Sequence, residues 1–212
     1  MLPASQQAFW AEYAQAVPRT WVLYGGTAIA LHLGHRQSID FDFFSSEDLD
    51  DRQLRQALPL LDSGTVFQKT VDTLVLSCPL AGSEVKLSFF ARIKFGRVGE
   101  PALCGDKLLI ASRFDLLATK LKVIHDRIEV KDYLDIEALL RSGLTLTEGI
   151  FAAQALYGNQ LSALDTAKAI CWFKDGDLER KLAATTRDYL TLAAANFDGL
   201  QSPPPLSSTR LA

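Results

Sequence analysis

Several common functions depend on residues that this chain has little of, and each shortage excludes something. It has three cysteines in 212 residues, Cys78, Cys104 and Cys171. They are odd in number, far apart and without a C-x-x-C or other ligand spacing, which argues against a disulfide framework and for buried, reduced thiols. The three histidines, His32, His35 and His125, have no companions at metal-ligand spacing, and no serine or cysteine sits in a nucleophile turn, so a hydrolytic triad has no support. Basic charge is not in excess: 22 Lys and Arg stand against 25 Asp and Glu, a net charge of −3. Any nucleic-acid contact must therefore come from a local patch rather than from the field of the whole chain. No run approaches the roughly 20 apolar residues of a membrane helix, and residues 1–17 lack the basic start and unbroken apolar stretch of a secretion signal. The expectation is a soluble, cytoplasmic protein without a membrane partner. At 48% apolar and 22% charged residues, the chain is long enough for one domain with a substantial core, or a domain plus a helical extension.

What is present centres on residues 21–44, WVLYGGTAIALHLGHRQSIDFDFF. Trp21 to Tyr24 reads as a short buried strand, broken by Gly25 and Gly26 where the backbone must turn tightly or approach a ligand. Thr27 is placed to cap a helix over Ala28 to Leu33, with Gly34 ending it in a left-handed conformation. Ile39 to Phe44 reads as the next strand. Its alternation puts Ile39, Phe41 and Phe43 on one face and Asp40, Asp42 and Phe44 on the other.

Two carboxylates at i and i+2 sit roughly 6.6 Å apart along a strand and can lean together to share a cation. Without one, the like charges raise a pKa and cost stability, so a hard divalent ion such as Mg²⁺ (or Mn²⁺) is the natural partner. Backbone N–H groups of a Gly-Gly-Thr turn at a helix N-terminus favour phosphate. Either element alone is weak: glycine turns join strands to helices in many folds, and a solvated edge strand can carry both charges outward. Their combination in one strand–turn–helix–strand unit points to a metal-bound nucleoside triphosphate.

Elsewhere, a first helix is expected over Ala4 to Ala16, with Phe9, Trp10, Tyr13 and Val17 as its apolar stripe. A second, capped by Ser45 and Ser46, is expected over Leu49 to Leu61. Thr65 to Phe90 breaks into three β-rich runs that read as an antiparallel meander, with Val85, Leu87 and Phe89 on one face of the last strand and Lys86, Ser88 and Phe90 on the other. Ala111 to His125 is a helix by periodicity, with Ser112 and Asp115 as a capping-box-like start and Lys120 and Lys122 off the apolar stripe. A charged start with Arg127, Lys131, Asp132 and Asp135 opens another helix ending near Gly143, and such charges usually form surface ion pairs. Further helices are expected over Thr147 to Tyr157, Ser162 to Phe173 and Asp177 to Asn196. The Pro- and Ser-rich stretch from Asp198 reads as a disordered tail.

The run GGTAIALHLGHRQSIDFDFF resembles the nucleotidyltransferase motif of the polymerase-beta-like superfamily. More narrowly, Arg36, Ser38, Asp40 and Asp42 resemble the Arg-x-Thr-x-Asp-x-Asp signature of the AbiEii/AbiGii toxin family, with serine in place of threonine. Asp115 with Lys120, and Arg127 with Lys131, Asp132 and Asp135, match that family's two later motifs. The resemblance implies an α+β fold: a mixed sheet with flanking helices in a nucleotidyltransferase core over residues 1–110, then a helical region over 111–197 and a tail over 198–212. It implies transfer of a nucleoside monophosphate from an NTP to a hydroxyl, within a toxin–antitoxin or phage-abortive system. Transfer RNA or a protein is then a candidate acceptor, and a cognate antitoxin a candidate partner. Asp40 and Asp42 would hold Mg²⁺; Gly25, Gly26, Thr27, Arg36 and Ser38 would form the nucleotide site; Lys120 would contact the triphosphate; Asp132 would assist or orient that lysine. Most active members of the superfamily carry a third carboxylate on the later strand, at the position that matches Ser88. Glu84 shares that face but lies roughly 13 Å away at strand rise. The alternative is a catalytically weak protein of the same fold that acts by binding a nucleotide or partner.

Overall fold

The alternating apolar runs of the first half assemble into one mixed sheet. The computed structural model describes residues 2–212, leaving Met1 outside the described residues. Its strands are β1 (Val22–Tyr24), β2 (Asp40–Phe44), β3 (Thr65–Lys69), β4 (Thr73–Leu80), β5 (Ser83–Phe90), β6 (Ala102–Cys104) and β7 (Leu108–Ile110), ordered β3-β4-β5-β2-β1-β7-β6. The meander β3-β4-β5 is antiparallel as expected. β2 runs parallel to β5 and antiparallel to β1, and β7 runs parallel to β1. Strands β6 and β7 have no counterpart in the sequence reading, because three residues are too few to display a period of two.

One face of the sheet is the core. Phe41, Phe43, Leu74, Leu76, Cys78, Val85, Leu87 and Phe89 are all fully buried, and the register sets Leu74 opposite Phe89, Leu76 opposite Leu87 and Cys78 opposite Val85. Helix α1 (Ala4–Glu12) lays Phe9 on Phe41, with ring centroids 4.6 Å apart, and Trp21 meets Phe89 edge-on at 5.2 Å. Stacked aromatic and branched side chains on one face, each hiding well over 100 Å², supply the main drive to fold this region. α1 is shorter than its apolar stripe suggested: the chain tightens into a 3-10 turn over Ala14–Ala16, burying Val17 and leaving Trp10 and Tyr13 partly exposed. Ile39 precedes β2 and is exposed rather than facing the core with Phe41.

Helix α2 (Gly25–Leu33) begins three residues before its expected start and ends, as expected, at a left-handed Gly34. Helix α3 (Asp51–Ala57) is capped by Asp50, whose carboxylate accepts from the Gln53 N–H, and not by Ser45 or Ser46. Pro59 then opens a separate 3-10 turn, because it has no N–H to continue the α-helix.

The second half is helical: α4 (Arg113–Val123), α5 (Val130–Arg141), α6 (Leu146–Tyr157), α7 (Ala163–Ala169), α8 (Leu178–Lys181) and α9 (Ala184–Ala195). A capping box starts α6, with Thr145 and Glu148 satisfying each other's backbone N–H groups. The chain divides into two compact units. One comprises the chain up to Gly96 with Glu100–Ser112 and Ser208–Ala212; the other comprises Arg97–Gly99 with Arg113–Ser207. The C-terminal stretch, expected to be disordered, is placed in the structure. Ser207 N–H donates to the Arg97 carbonyl at 2.8 Å and Leu211 is 1% exposed, long-range anchors that local composition cannot reveal. Of the three thiols, expected all to be buried, only Cys78 is; Cys104 and Cys171 are partly exposed. Among the described residues, no helix is long and apolar enough to cross a membrane.

Candidate functional site

Along β2 the burial alternates, with Phe41 and Phe43 inside and Asp40, Asp42 and Phe44 on the opposite, partly open face. This alternation follows from the pleat: committing two phenylalanines to the core commits both carboxylates to the other side. Asp42 lies opposite Tyr24 across the antiparallel pair, at the point where β1 gives way to α2. The junction depends on glycine. Gly25 has φ +70, and a Cβ there would stand 2.6 Å from Asp42 Oδ2. A Cβ on Gly26 would fall on Arg36 Nη2, and would stand 3.1 Å from Ser38 Oγ. The two glycines thus let a carboxylate and a guanidinium approach the first turn of α2, where N–H groups lack intrahelical acceptors.

Thr27 is not the helix cap; Tyr24 occupies that position without a side-chain cap. Thr27 is fully buried, its hydroxyl donating to the Asp40 carbonyl and sharing a 2.9 Å hydrogen bond with Ser38 Oγ. These two hydroxyls lock α2 to β2 from within, so only backbone groups of Thr27 remain for a ligand. His32 Nε2 lies 3.0 Å from the Ala111 carbonyl, and the Ala111 N–H donates to the Leu23 carbonyl, which tethers the far end of α2 to the strand beside β1.

The neighbouring strand completes this face. In the parallel β2–β5 pair Asp40 is in register with Lys86, and Asp42 with Ser88. Ser88 is 2% exposed, while Lys86 is exposed. The position beside Asp42 is therefore a small neutral hydroxyl. Glu84 is engaged elsewhere: its Oε2 accepts from the Ser77 hydroxyl at 2.6 Å.

Among the described residues, no group of three or more His, Cys, Asp or Glu converges as a ready-made cation cage. Asp40 and Asp42 nevertheless suit Mg²⁺, a hard ion that keeps several waters and takes one or two carboxylates together with substrate phosphates. The close fit of Asp42 Oδ2 against Gly25 holds that carboxylate at a helix N-terminus suited to phosphate.

A second charged cluster lies on α4 and α5. Lys120 was expected off the apolar stripe, but it is 6% exposed. Its Nζ lies 2.7 Å from Asp132 Oδ1 and 2.8 Å from Asp135 Oδ2, and both aspartates are fully buried. Arg127 adds a second cation to Asp132, with Nε 3.0 Å from Oδ2. Burial works against ionisation of Asp132, but hydrogen bonds from Arg127 and Lys120, with their charges, outweigh it and hold the carboxyl below its ordinary range. Asp135 was read as part of a motif without a role; its i, i+3 spacing from Asp132 put both on one helix face and was the available signal. Asp115 does not join Lys120. It is 1% exposed and accepts from the N–H groups of Val98, at 2.7 Å, and Gly99, at 3.2 Å. Lys131 pairs with Glu129 at 2.8 Å on the surface.

A family model described as "Nucleotidyl transferase AbiEii toxin, Type IV TA system" matches residues 9–205. The chain belongs to the AbiEii nucleotidyl transferase toxin family. Membership places it on the toxin side of type IV toxin–antitoxin systems. The uncharacterized protein aq_aa25 from Aquifex aeolicus (strain VF5) is 29% identical to this chain over 157 residues, covering 72% of this chain and 73% of that one. The crystal structure of JHP933 from Helicobacter pylori is similar at 17% identity, covering 92% of each chain with a TM-score of 0.58. MenT4, a nucleotidyltransferase toxin from Mycobacterium tuberculosis H37Rv, is similar at 12% identity, covering 92% of this chain and 84% of that one with a TM-score of 0.55. These two likenesses bear out the α+β fold expected here, a mixed sheet with flanking helices and a helical second half.

Proposed function

We propose that this AbiEii-family protein transfers a nucleoside monophosphate from an NTP to a hydroxyl acceptor, with Mg²⁺ or Mn²⁺ as its cofactor and RNA, transfer RNA included, as the acceptor class. The observation that carries the reading is the placement of Asp40 and Asp42 on one open strand face, with Asp42 packed against Gly25 at the start of α2. When bound, the metal would draw charge from the attacking and leaving oxygens. Asp40 and Asp42 would hold it. The first N–H groups of α2 would bind phosphate oxygens, and Arg36, poised over Gly26, would add a charge-assisted contact. The paired hydroxyls of Thr27 and Ser38 would keep α2 at a fixed distance from the carboxylates. Lys120 is already held by two carboxylates, which compete with any phosphate for its ammonium. We read it as a structural charge and Asp132 as the residue that fixes it.

Calorimetry with Mg²⁺ and a non-hydrolysable NTP tests the reading. The wild type should form a ternary complex that Asp40→Asn or Asp42→Asn weakens, and equal binding by all three proteins would overturn it. Labelled NTPs offered to total RNA and to total protein, with and without Mg²⁺, identify the acceptor.

The neutral Ser88 beside Asp42 favours a second reading, a weak or silent transferase that acts by binding its antitoxin or another partner. General-base assistance is typically worth about 10²–10⁴-fold, so the wild type should transfer slowly and Ser88→Asp should transfer faster. Tight Mg²⁺–NTP binding with no transfer by either protein makes the second reading the better one.

A further inference from the structure

We propose that Lys86 is a substrate-binding residue on the same strand face, and that it takes a phosphodiester of an RNA acceptor. The inference rests on the transferase reading above and names the acceptor side of that site.

The register carries the argument. Lys86 lies opposite Asp40 in the parallel β2–β5 pair, one pleat before the Asp42–Ser88 pair. Residues in register on neighbouring strands point to the same side of a sheet, with backbones roughly 4.8 Å apart. Val85, Leu87 and Phe89 are fully buried on the core face. Lys86 is therefore committed to the face that carries Asp40 and Asp42, and it is exposed there. On its other flank lies Ser77 of β4, whose hydroxyl is given to Glu84.

Despite this proximity, among the described residues neither the Lys86 ammonium nor the Asp40 carboxylate has an ion-pair or hydrogen-bond partner. Several other surface lysines are spent on carboxylates, among them Lys69 on Asp51 at 2.6 Å, Lys122 on Asp126 at 2.8 Å and Lys174 on Glu179 at 2.6 Å. At the β2–β5 pair a cation and an anion stand side by side and both stay available. A metal bound by Asp40 would repel the ammonium, so Lys86 is no part of the metal's ligand set. What suits it is a compact anion lying beside the metal, and a lysine binds phosphate as a point charge. The attacking hydroxyl must come to the Asp42–Ser88 pair, and Lys86 sits roughly 6.6 Å back along the strand. A nucleotide carrying that hydroxyl brings a phosphodiester next to its sugar; a serine, threonine or tyrosine of a protein acceptor brings none. The charge pattern thus favours RNA over protein.

The test compares full-length wild type, Lys86→Ala and Lys86→Arg. Binding of Mg²⁺ with a non-hydrolysable NTP should be the same in all three. Binding of unfractionated transfer RNA, followed against salt, should weaken several-fold in Lys86→Ala, and the slope of log affinity against log salt should shrink by about 0.7–0.9, the loss of one phosphate contact. Lys86→Arg should restore both. Unchanged RNA affinity and slope in Lys86→Ala would overturn the proposal while leaving the transferase reading intact. So would loss of NTP binding in Lys86→Ala, which would make Lys86 a triphosphate ligand, or labelling of protein but not RNA by the wild type. Absence of NTP binding in the wild type would remove the transferase reading and this proposal together.

Discussion

On β2 and β5 the side chains of Asp40, Asp42 and Lys86 stand on the open face of a strand pair whose other face is packed with phenylalanine, leucine and valine. On α4 and α5, Lys120, Asp132 and Asp135 are drawn into contact with side chains 7%, 0% and 0% exposed, and Arg127 closes on Asp132 from outside. In the helical cluster Lys120, Asp132 and Asp135 have been taken from water and depend on one another and on Arg127 for compensation, so the set stands or falls together. In the sheet cluster the pleat sets two carboxylates on one partly open strand face, an arrangement that a hard cation could share. The same residue types therefore serve cohesion in one unit and suit ligand binding in the other.

The comparison breaks most sharply on stability. Removing one member of the helical cluster, as in Lys120→Ala or Asp132→Ala, should cost about 3–5 kcal/mol, because it leaves an uncompensated buried charge. Asp40→Asn and Asp42→Asn should change stability much less than that while removing Mg²⁺–NTP binding. Urea unfolding of the four variants measures this. If Lys120→Ala unfolds at the wild-type midpoint yet loses triphosphate binding, Lys120 is a phosphate ligand after all.

A smaller effect is expected at the turn. Gly25→Ala must place a side chain at φ +70 and 2.6 Å from Asp42 Oδ2, so it should cost roughly 1–3 kcal/mol and abolish metal-dependent NTP binding. Gly26→Ala meets the far end of the long Arg36 side chain and, at 3.1 Å, Ser38 Oγ, but needs no left-handed backbone, and should cost less in stability. Comparable stability losses in the two variants would mean that Gly25 has no special conformational role.

The smallest effect is one of acidity. The native carboxyl of Asp132 is held below its ordinary 3.8, because the cations of Arg127 and Lys120 outweigh burial. Its contribution to stability is present above that ordinary value and is lost as pH falls through the lower native value. Carboxyl-carbon NMR should show Asp132 still ionised at pH 3.8, with stability declining on further acidification. Titration at or above 3.8 would show that burial prevails over the two cations.

The pleat made Asp40 and Asp42 legible, since a period of two leaves no freedom about which residues share a face once Phe41 and Phe43 go to the core. The meander was equally legible, because β3, β4 and β5 are each long enough to show alternation and are joined by short turns. Thr27 misled for a local reason: a threonine at a helix start usually caps it, but here its hydroxyl reaches the Asp40 carbonyl and Ser38 instead. The burial of Lys120 was not legible, because helical periodicity separates apolar from polar residues without revealing which polar residues find buried partners.

Sequence alone determined which side chains the strand–turn–helix–strand unit sets on each face, because turn geometry and strand alternation are local consequences of residue type and order. It also carried the family signature in Arg36, Ser38, Asp40 and Asp42. Tertiary structure alone decided that β5 lies beside β2, in parallel and in the register that sets Lys86 against Asp40 and Ser88 against Asp42. It alone closed Lys120 onto Asp132 and Asp135 and placed β7 beside β1. The physical reason is the same in each case. Pairing between segments far apart in the chain is chosen by how their apolar faces bury together, and that choice is a property of the assembled core, which no single window of sequence contains.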